Sequence, residues 1–212
     1  MDGNNRWSIK NNKSKYYSYN HGAKKLLELT NFIFNQYEIK YISAFALSKH
    51  NLQRGHSLIN IIKNVLNDFL KQNLDKNNFN FRFKFKGDLS FLSKKICKGI
   101  NDLEKMNKHS EKQLIIYLNY SGKDDIISAV KSLKNLNRVN DKIIKSALLS
   151  SDIPDPDMLI RSGGYNRLSD FFLYQVTFTD FFFTKVLWSD MKKSHIKKFI
   201  NQFNKIDRKF GT

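Results

Sequence analysis

The fold is decided by one segment of the chain, which reads Asp157-Met158-Leu159-Ile160-Arg161-Ser162-Gly163-Gly164. Its apolar run over residues 158–161 predicts a short buried strand, and the two glycines that follow predict a turn. Upstream, Pro154-Asp155-Pro156 is typical of a turn. Downstream, apolar spacing predicts a helix over residues 169–178 that Ser169 would cap. A strand, a turn and a helix in this order form the repeating unit of an α/β protein.

The rest of the chain repeats this alternation of strands and helices. Apolar residues at helical spacing predict helices over 21–37, 57–74, 89–106, 124–136, 141–149 and 194–203. Short aromatic and β-branched runs predict strands over 39–47, 79–86, 114–120 and 181–187, the second of them half-buried near a sheet edge. We therefore expect a single domain over residues 1–212, with a mostly parallel central sheet wrapped by helices.

Polar and glycine-containing segments follow three of the predicted strands directly, at residues 48–55, 121–123 and 162–166. The carboxyl ends of parallel strands meet at one edge of a sheet, and ligands bind there in folds of this class. The sequence therefore predicts one functional site on this rim.

The net charge of +18 suggests a polyanionic partner: a nucleic acid, an anionic membrane or a phosphorylated substrate. Lysine supplies most of that charge, so a composition rich in Lys and Asn explains it equally well. The arginines are more informative, because a planar guanidinium grips phosphate oxygens in a bidentate way. Four of them lie in or beside turn-like segments that contain glycine: Arg6, Arg54, Arg161 and Arg167.

Other features of the composition restrict the class of protein. The single cysteine, Cys97, excludes an intrachain disulfide and is typical of a reducing cytosol, so a cytoplasmic location is expected. The start of the chain lacks the apolar stretch of a secretory signal. The sequence contains no phosphate-binding loop of the G-x-x-x-x-G-K-[ST] type and no paired cysteine or histidine metal pattern.

Two motifs could bind phosphate groups. In Asp2-Gly3-Asn4-Asn5-Arg6-Trp7, a flexible turn would offer backbone N–H groups and Arg6 to an anion, and Asp2 could hold a divalent cation. In the segment 161–169, two arginines, the hydroxyl of Ser169 and a helix start could hold a diphosphate. An ordinary turn and an ordinary strand-turn-helix junction remain the alternatives.

The order and spacing of five blocks resemble the undecaprenyl diphosphate synthase family of cis-prenyltransferases. The blocks are Met1-Asp2-Gly3-Asn4 with Arg6-Trp7, residues 46–54, Asn119-Tyr120 with Gly122, residues 157–171, and Val186-Leu187-Trp188. The resemblance implies a parallel sheet with a hydrophobic tunnel, a homodimer, and a cytoplasmic enzyme whose product partitions to the membrane. It also implies Mg²⁺-dependent condensation of isopentenyl diphosphate with an allylic diphosphate, such as farnesyl diphosphate. The product would be a long-chain Z-polyprenyl diphosphate, undecaprenyl diphosphate for the lipid carrier of cell-wall synthesis.

The resemblance also implies roles for particular residues. Asp2 would bind Mg²⁺ and help the diphosphate leave the allylic substrate, Asn51 would assist proton removal, and Asp180 stands where the family has a metal-binding Glu. The allylic diphosphate would be held by Gly3, Asn4, Asn5, Arg6 and Arg54. Isopentenyl diphosphate would be held by Arg161, Arg167 and Ser169. Further substrate contacts are expected at Trp7, Lys15, Tyr19, Ser48, Lys49, His50, Leu52 and Leu168.

The chain departs from the family pattern at several of these positions. Asn5 replaces a glycine, Lys15 and Tyr19 stand where Arg and His are usual, Leu52 replaces Trp, and Asp180 replaces Glu. Most replacements stay polar or able to bind metal, which predicts retuned binding rather than lost activity. The strand that precedes the Asp-Gly-Asn turn in the family is missing before Asp2. We expect an upstream apolar, β-branched segment to raise stability and activity.

Two alternatives remain at the level of the sequence. One is a non-catalytic partner subunit of a prenyltransferase complex. Such subunits tend to lack the metal-binding Asp and the arginines that are present here as Asp2, Arg6, Arg161 and Arg167. The other is a basic nucleic-acid binder, for which the sequence offers no known motif.

Overall fold

The computed structural model describes residues 1–53, 55–74, 79–134 and 136–209. Arg54, one of the predicted phosphate contacts, lies outside these described residues. The elements given below are those of the described ranges.

A parallel three-stranded sheet forms from β1 (Tyr41–Ser48), β2 (Arg82–Lys86) and β3 (Gln113–Tyr120), in the order β1-β3-β2. β3 is buried at every position, because neighbouring strands flank both its sides and its two faces are covered. β2 lies at the edge, as its alternation predicts: Phe83 and Phe85 are buried between half-buried charged residues.

A separate parallel pair forms from β4 (Met158–Arg161) and β5 (Asp180–Phe183), with Met158 opposite Asp180 and Arg161 opposite Phe183. All five strands lie where the sequence predicts a strand; β4 has the predicted bounds, and the other four are shifted at one or both ends. The prediction of parallel pairing is confirmed. Within the described residues, the hydrogen-bonded strands divide into these two groups instead of one continuous sheet.

Helices flank the strands and close the core. They are α1 (Asn4–Lys10), α2 (Lys15–Gln36), α3 (Lys49–Leu52), α4 (His56–Leu74), α5 (Lys94–Lys105), α6 (Gly122–Ser132), α7 (Asp141–Ala147) and α8 (Lys193–Phe203). The main core lies between β1–β3 and helices α2, α4 and α5, and includes Phe34, Leu47, Phe83, Leu103 and Leu114. Among the helices described, none combines the length and the apolar character needed to cross a membrane.

The predicted helix over 169–178 is wrong. The chain between β4 and β5 contains turns, and Ser169, Asp170 and Phe172 have positive φ angles of 54°, 67° and 46°. A right-handed helix cannot accommodate such angles. They are held by tertiary contacts: Phe171 and Phe172 pack into an aromatic cluster, and the Asp170 carbonyl accepts the Gly122 N–H at 2.9 Å. Ser169 therefore caps no helix.

Candidate functional site

The N-terminal motif is anchored to the carboxyl end of β4. The Asp2 backbone N–H donates to the Ser162 hydroxyl at 2.9 Å, and the Asp2 carbonyl accepts from the Trp188 N–H at 2.9 Å. Gly3 has a φ of 102° and precedes the first residue of α1, Asn4. The expected flexible turn is therefore the fixed start of a helix, held by residues from the far end of the sequence.

The Asp2 carboxylate lies between two arginines. Its Oδ2 is 3.1 Å from a terminal nitrogen of Arg161, and its Oδ1 is 3.4 Å from one of Arg6. Arg6 also donates to the carbonyl of Gly163 at 2.6 Å. The Arg161 side chain is only 12% exposed, whereas those of Asp2 and Arg6 are 35% and 43% exposed. Asp2 is therefore oriented on both of its oxygens and remains open to solvent.

Ser169 brings Arg161 and Arg167 together. Its hydroxyl accepts from Arg161 at 2.7 Å and from Nε of Arg167 at 3.3 Å. Arg161 also donates to the carbonyl of Arg167. Because Arg161 also contacts Asp2, the structure brings the N-terminal motif and the 161–169 motif into one cluster. No helix begins at Ser169, although the sequence predicts one there.

Gly163 permits this close approach. An added Cβ would lie 2.7 Å from a terminal nitrogen of Arg6 and 3.1 Å from the Asp2 Cβ, and the φ angle of 89° is itself unfavourable for other residues. Its N–H donates to the Val186 carbonyl at 2.8 Å, which ties the turn to the segment after β5. A larger residue at position 163 would therefore displace the end of the Arg6 side chain and crowd Asp2.

Tyr165 is a site residue that the sequence reasoning missed. Its ring lies under three guanidinium groups, with centroid distances of 5.0 Å to Arg6, 5.7 Å to Arg161 and 4.2 Å to Arg167. All three distances are within the range of a cation–π interaction. The sequence does contain a signal for this role, because Tyr165 lies between Arg161 and Arg167 and directly follows the two glycines of the turn.

A second group of predicted residues follows β1. The Ser48 hydroxyl caps α3 by accepting the Asn51 N–H at 3.1 Å. Lys49 pairs with Asp124 of α6, and Nε2 of His50 lies 3.4 Å from Oδ2 of Asp170.

Asp170 connects this second group to the arginines. Its Oδ1 accepts the Lys123 N–H at 3.0 Å, and it directly follows Ser169. The segments after β1, β3 and β4 therefore meet around Asp170, which confirms the predicted rim.

Several predicted substrate contacts have partners within the protein. Trp7 is buried, donates from Nε1 to Asp190 at 2.7 Å, and stacks on His21 with ring centroids 5.1 Å apart. The Asn4 side chain accepts from Ser189 at 3.1 Å. Tyr19 and Leu52 pack against the main core. The remaining positions are exposed or half-buried: Asn5, Lys15 and Leu168. The substrate roles of all these residues stay predictions.

The structure does not bring Asp180 to Asp2. Asp180 begins β5, whereas Asp2 contacts the last residue of β4, and three strand residues span about 10 Å. Oδ2 of Asp180 is 3.2 Å from Nε of Arg208. Within the described ranges, no group of three or more His, Cys, Asp or Glu side chains could hold a metal ion. The metal-binding role of Asp180 stays a prediction.

The amino-acid sequence is similar to sequences of known proteins over the whole chain. A family model described as a putative undecaprenyl diphosphate synthase matches residues 1–211. Isoprenyl transferases of Helicobacter pylori and Rickettsia typhi are each 33% identical to the chain, over 100% of it and 94% and 95% of the relatives.

Two solved structures are similar to the chain. A probable undecaprenyl diphosphate synthase from Campylobacter jejuni has a TM-score of 0.77 and 29% identity, over 91% of this chain and 92% of that one. Lavandulyl diphosphate synthase from Lavandula x intermedia, solved with dimethylallyl diphosphate, has a TM-score of 0.89. At 23% identity, over 100% of this chain and 95% of that one, it supports the α/β fold alone.

Proposed function

The chain belongs to the undecaprenyl diphosphate synthase family of isoprenyl transferases, and from this we propose that it condenses isopentenyl diphosphate with an allylic prenyl diphosphate. One observation carries the proposal beyond family membership. Arg6, Arg161 and Arg167 converge around Asp2 and Ser169 at the rim where the strands end. The presence of Asp2 and these arginines favours a catalytic chain over a non-catalytic partner subunit.

The charges of this cluster suit a diphosphate. Asp2 offsets one of the three guanidinium charges, so the described cluster keeps a net positive charge. A guanidinium can bind two phosphate oxygens in a planar fork, and a diphosphate here would replace some of the internal partners of Arg6 and Arg161. We assign Arg161, Arg167 and Ser169 to isopentenyl diphosphate, because the Ser169 hydroxyl links both arginines. Arg6 and the backbone at the start of α1 are assigned to the allylic diphosphate, together with Arg54.

The residues at Asp2 fit a magnesium ion. Mg²⁺ is commonly held by one or two carboxylates, with water and substrate phosphates completing its coordination. Asp2 supplies one solvent-accessible carboxylate within the arginine cluster, where a diphosphate would bind. When bound, Mg²⁺ would neutralise charge on the departing diphosphate. Arg6 and Arg161 would hold the Asp2 carboxylate in a fixed orientation.

The remaining steps require removal of a proton and an apolar path for the growing chain. The bond between the allylic carbon and its diphosphate breaks, the diphosphate leaves, and the allylic carbon bonds to the isopentenyl unit. The isopentenyl unit then loses a proton, and Asn51 is expected to assist that removal. The growing chain is apolar and needs an apolar lining. We propose that it runs between α2 and α4 over β1, where Ala23, Leu27, Ala46 and Leu58 are partly buried against the core.

We further propose that the product is a long-chain Z-polyprenyl diphosphate, undecaprenyl diphosphate in particular, and that it partitions to the membrane from a cytoplasmic homodimeric enzyme. The test is incubation with farnesyl diphosphate, labelled isopentenyl diphosphate and Mg²⁺, followed by sizing of the extracted product. A labelled long-chain product that is abolished by a metal chelator is expected. No labelled product under conditions in which a relative is active would contradict catalysis by this chain alone.

Replacement of Arg167 with alanine is expected to raise the KM for isopentenyl diphosphate by about tenfold and to leave the KM for farnesyl diphosphate nearly unchanged. The reason is that Arg167 shares Ser169 with Arg161, whereas Arg6 contacts the other carboxylate oxygen of Asp2 and has no bond to Ser169 among the described contacts. Steady-state kinetics with each substrate varied in turn measures the effect. Arg138→Ala, at an exposed arginine outside this site, is the control. Equal changes in both KM values would argue against separate sites.

Asp180 offers a test of its predicted metal role. If Asp180 binds Mg²⁺, Asp180→Asn should raise the Mg²⁺ concentration for half-activity and Asp180→Glu should lower it, because the longer side chain restores the family's reach. Asp157→Asn is a matched control, since Asp157 pairs with the same Arg208 at 2.5 Å. Equal Mg²⁺ dependence in the Asp180 and Asp157 variants would show that Asp180 is only a partner of Arg208.

A further inference from the structure

We propose that Tyr165 is a positioning residue of the diphosphate site. Its aromatic face holds the guanidinium groups of Arg6, Arg161 and Arg167 close together and leaves their charge available to the anion. The identity of that anion rests on the proposed function; the grouping of the arginines around the ring does not.

One ring contacts all three arginines. Arg6 comes from α1, whereas Arg161 and Arg167 flank the glycine turn, so the ring joins side chains from two distant segments. Tyr165 is 42% exposed, which places it at the open side of the cluster. The positive φ angles of Gly163 and Gly164, 89° and 84°, direct the chain into this turn. The ring is therefore held where an incoming anion would meet the arginines.

Three like charges repel one another unless something compensates them. Asp2 does this for Arg6 and Arg161. Arg167 has no carboxylate partner among the residues the structure describes, and it is the arginine nearest to the ring, at 4.2 Å. Tyr165 therefore supplies, for Arg167 above all, an attraction that no described carboxylate provides.

An aromatic ring and a carboxylate differ in how many guanidinium N–H groups they occupy. A carboxylate at position 165 would occupy the N–H edges of the guanidinium groups and cancel part of their charge. A ring attracts a guanidinium through its quadrupole without taking up N–H groups, so those not bound within the protein stay available for phosphate oxygens. The cation–π contacts thus preorganise the arginines without competing with the ligand.

The test uses inorganic pyrophosphate and isothermal titration calorimetry on the full chain. Tyr165→Leu is expected to raise the Kd for pyrophosphate about tenfold, because the ring face is lost. Tyr165→Phe should stay within about twofold of the wild type, since the face is retained. Tyr165→Glu should weaken binding more than Tyr165→Leu, because it neutralises the arginines. The thermal midpoint of each variant is measured in parallel and should stay close to that of the wild type.

Tyr41→Leu is the control, because Tyr41 is 36% exposed and lies at the start of β1, away from the rim. Equal losses in the Phe and Leu variants would assign the effect to the hydroxyl and overturn the proposal. Wild-type affinity in the Leu variant would overturn it, as would a Leu variant that unfolds, since Tyr165 would then serve the fold. Pyrophosphate binding without prenyl transfer by the wild type would instead count against the proposed function alone.

Discussion

Replacing Asp2 with asparagine is expected to lower turnover by about a thousandfold while the fold stays intact. Asparagine has nearly the same shape and keeps the backbone bonds of residue 2 to Ser162 and Trp188. It removes the negative charge between Arg6 and Arg161, and with it the carboxylate proposed to hold Mg²⁺. Asp2→Ala should have a similar effect on turnover.

A second measurement separates loss of the metal from loss of structure. Without Mg²⁺, Asp2→Asn should bind inorganic pyrophosphate at least as tightly as the wild type, because Asp2 no longer offsets the charge of the arginines. A damaged site would bind it more weakly. Asp102→Asn, at a partly exposed carboxylate on α5, controls for a general effect of charge. Near-normal turnover in the Asp2 variants would remove Asp2 from the proposed mechanism.

Arg161→Lys is expected to reduce kcat/KM by about a hundredfold, even though the charge is preserved. The Arg161 guanidinium contacts Asp2, Ser169 and the carbonyl of Arg167 at once. A lysine ammonium is a single point of charge and cannot bridge three partners in one plane. The side chain is 12% exposed, so water compensates the lost bonds poorly.

The comparison that isolates geometry is Arg6→Lys. Arg6 is 43% exposed and pairs with the same carboxylate, so the same chemical change should cost less there. Both variants are compared by steady-state kinetics and thermal denaturation. An Arg161→Lys variant as active as the wild type would show that positive charge alone is sufficient at the end of β4.

Local patterns in the sequence were enough to predict most of the strands and helices. β3 is an apolar run because its neighbours cover it on all sides, and β2 alternates because one face is buried. Serine at the starts of α2, α3, α5 and α6 accepts a backbone N–H within its own first turn. Such features depend on residues a few positions apart, so the sequence displays them directly.

The helix wrongly predicted over 169–178 shows where local patterns fail. Its apolar spacing arises from Phe171 and Phe172, which face an aromatic cluster rather than one side of a helix. The left-handed residues around them are held by long-range bonds, such as that from the Gly122 N–H to the Asp170 carbonyl. Local spacing cannot reveal partners that lie about fifty residues away.

The sequence by itself determined the chemistry of the site: a carboxylate at Asp2, and arginines and a hydroxyl beside glycine turns. Only the tertiary structure decided their grouping, because the bond between Arg161 and Asp2 joins residues 159 positions apart. It also separated Asp180 from Asp2, since strand direction and register place them at opposite ends of the β4–β5 pair. Only the tertiary structure identifies Tyr165 as a site residue, because folding places the guanidinium groups of Arg6, Arg161 and Arg167 over its ring.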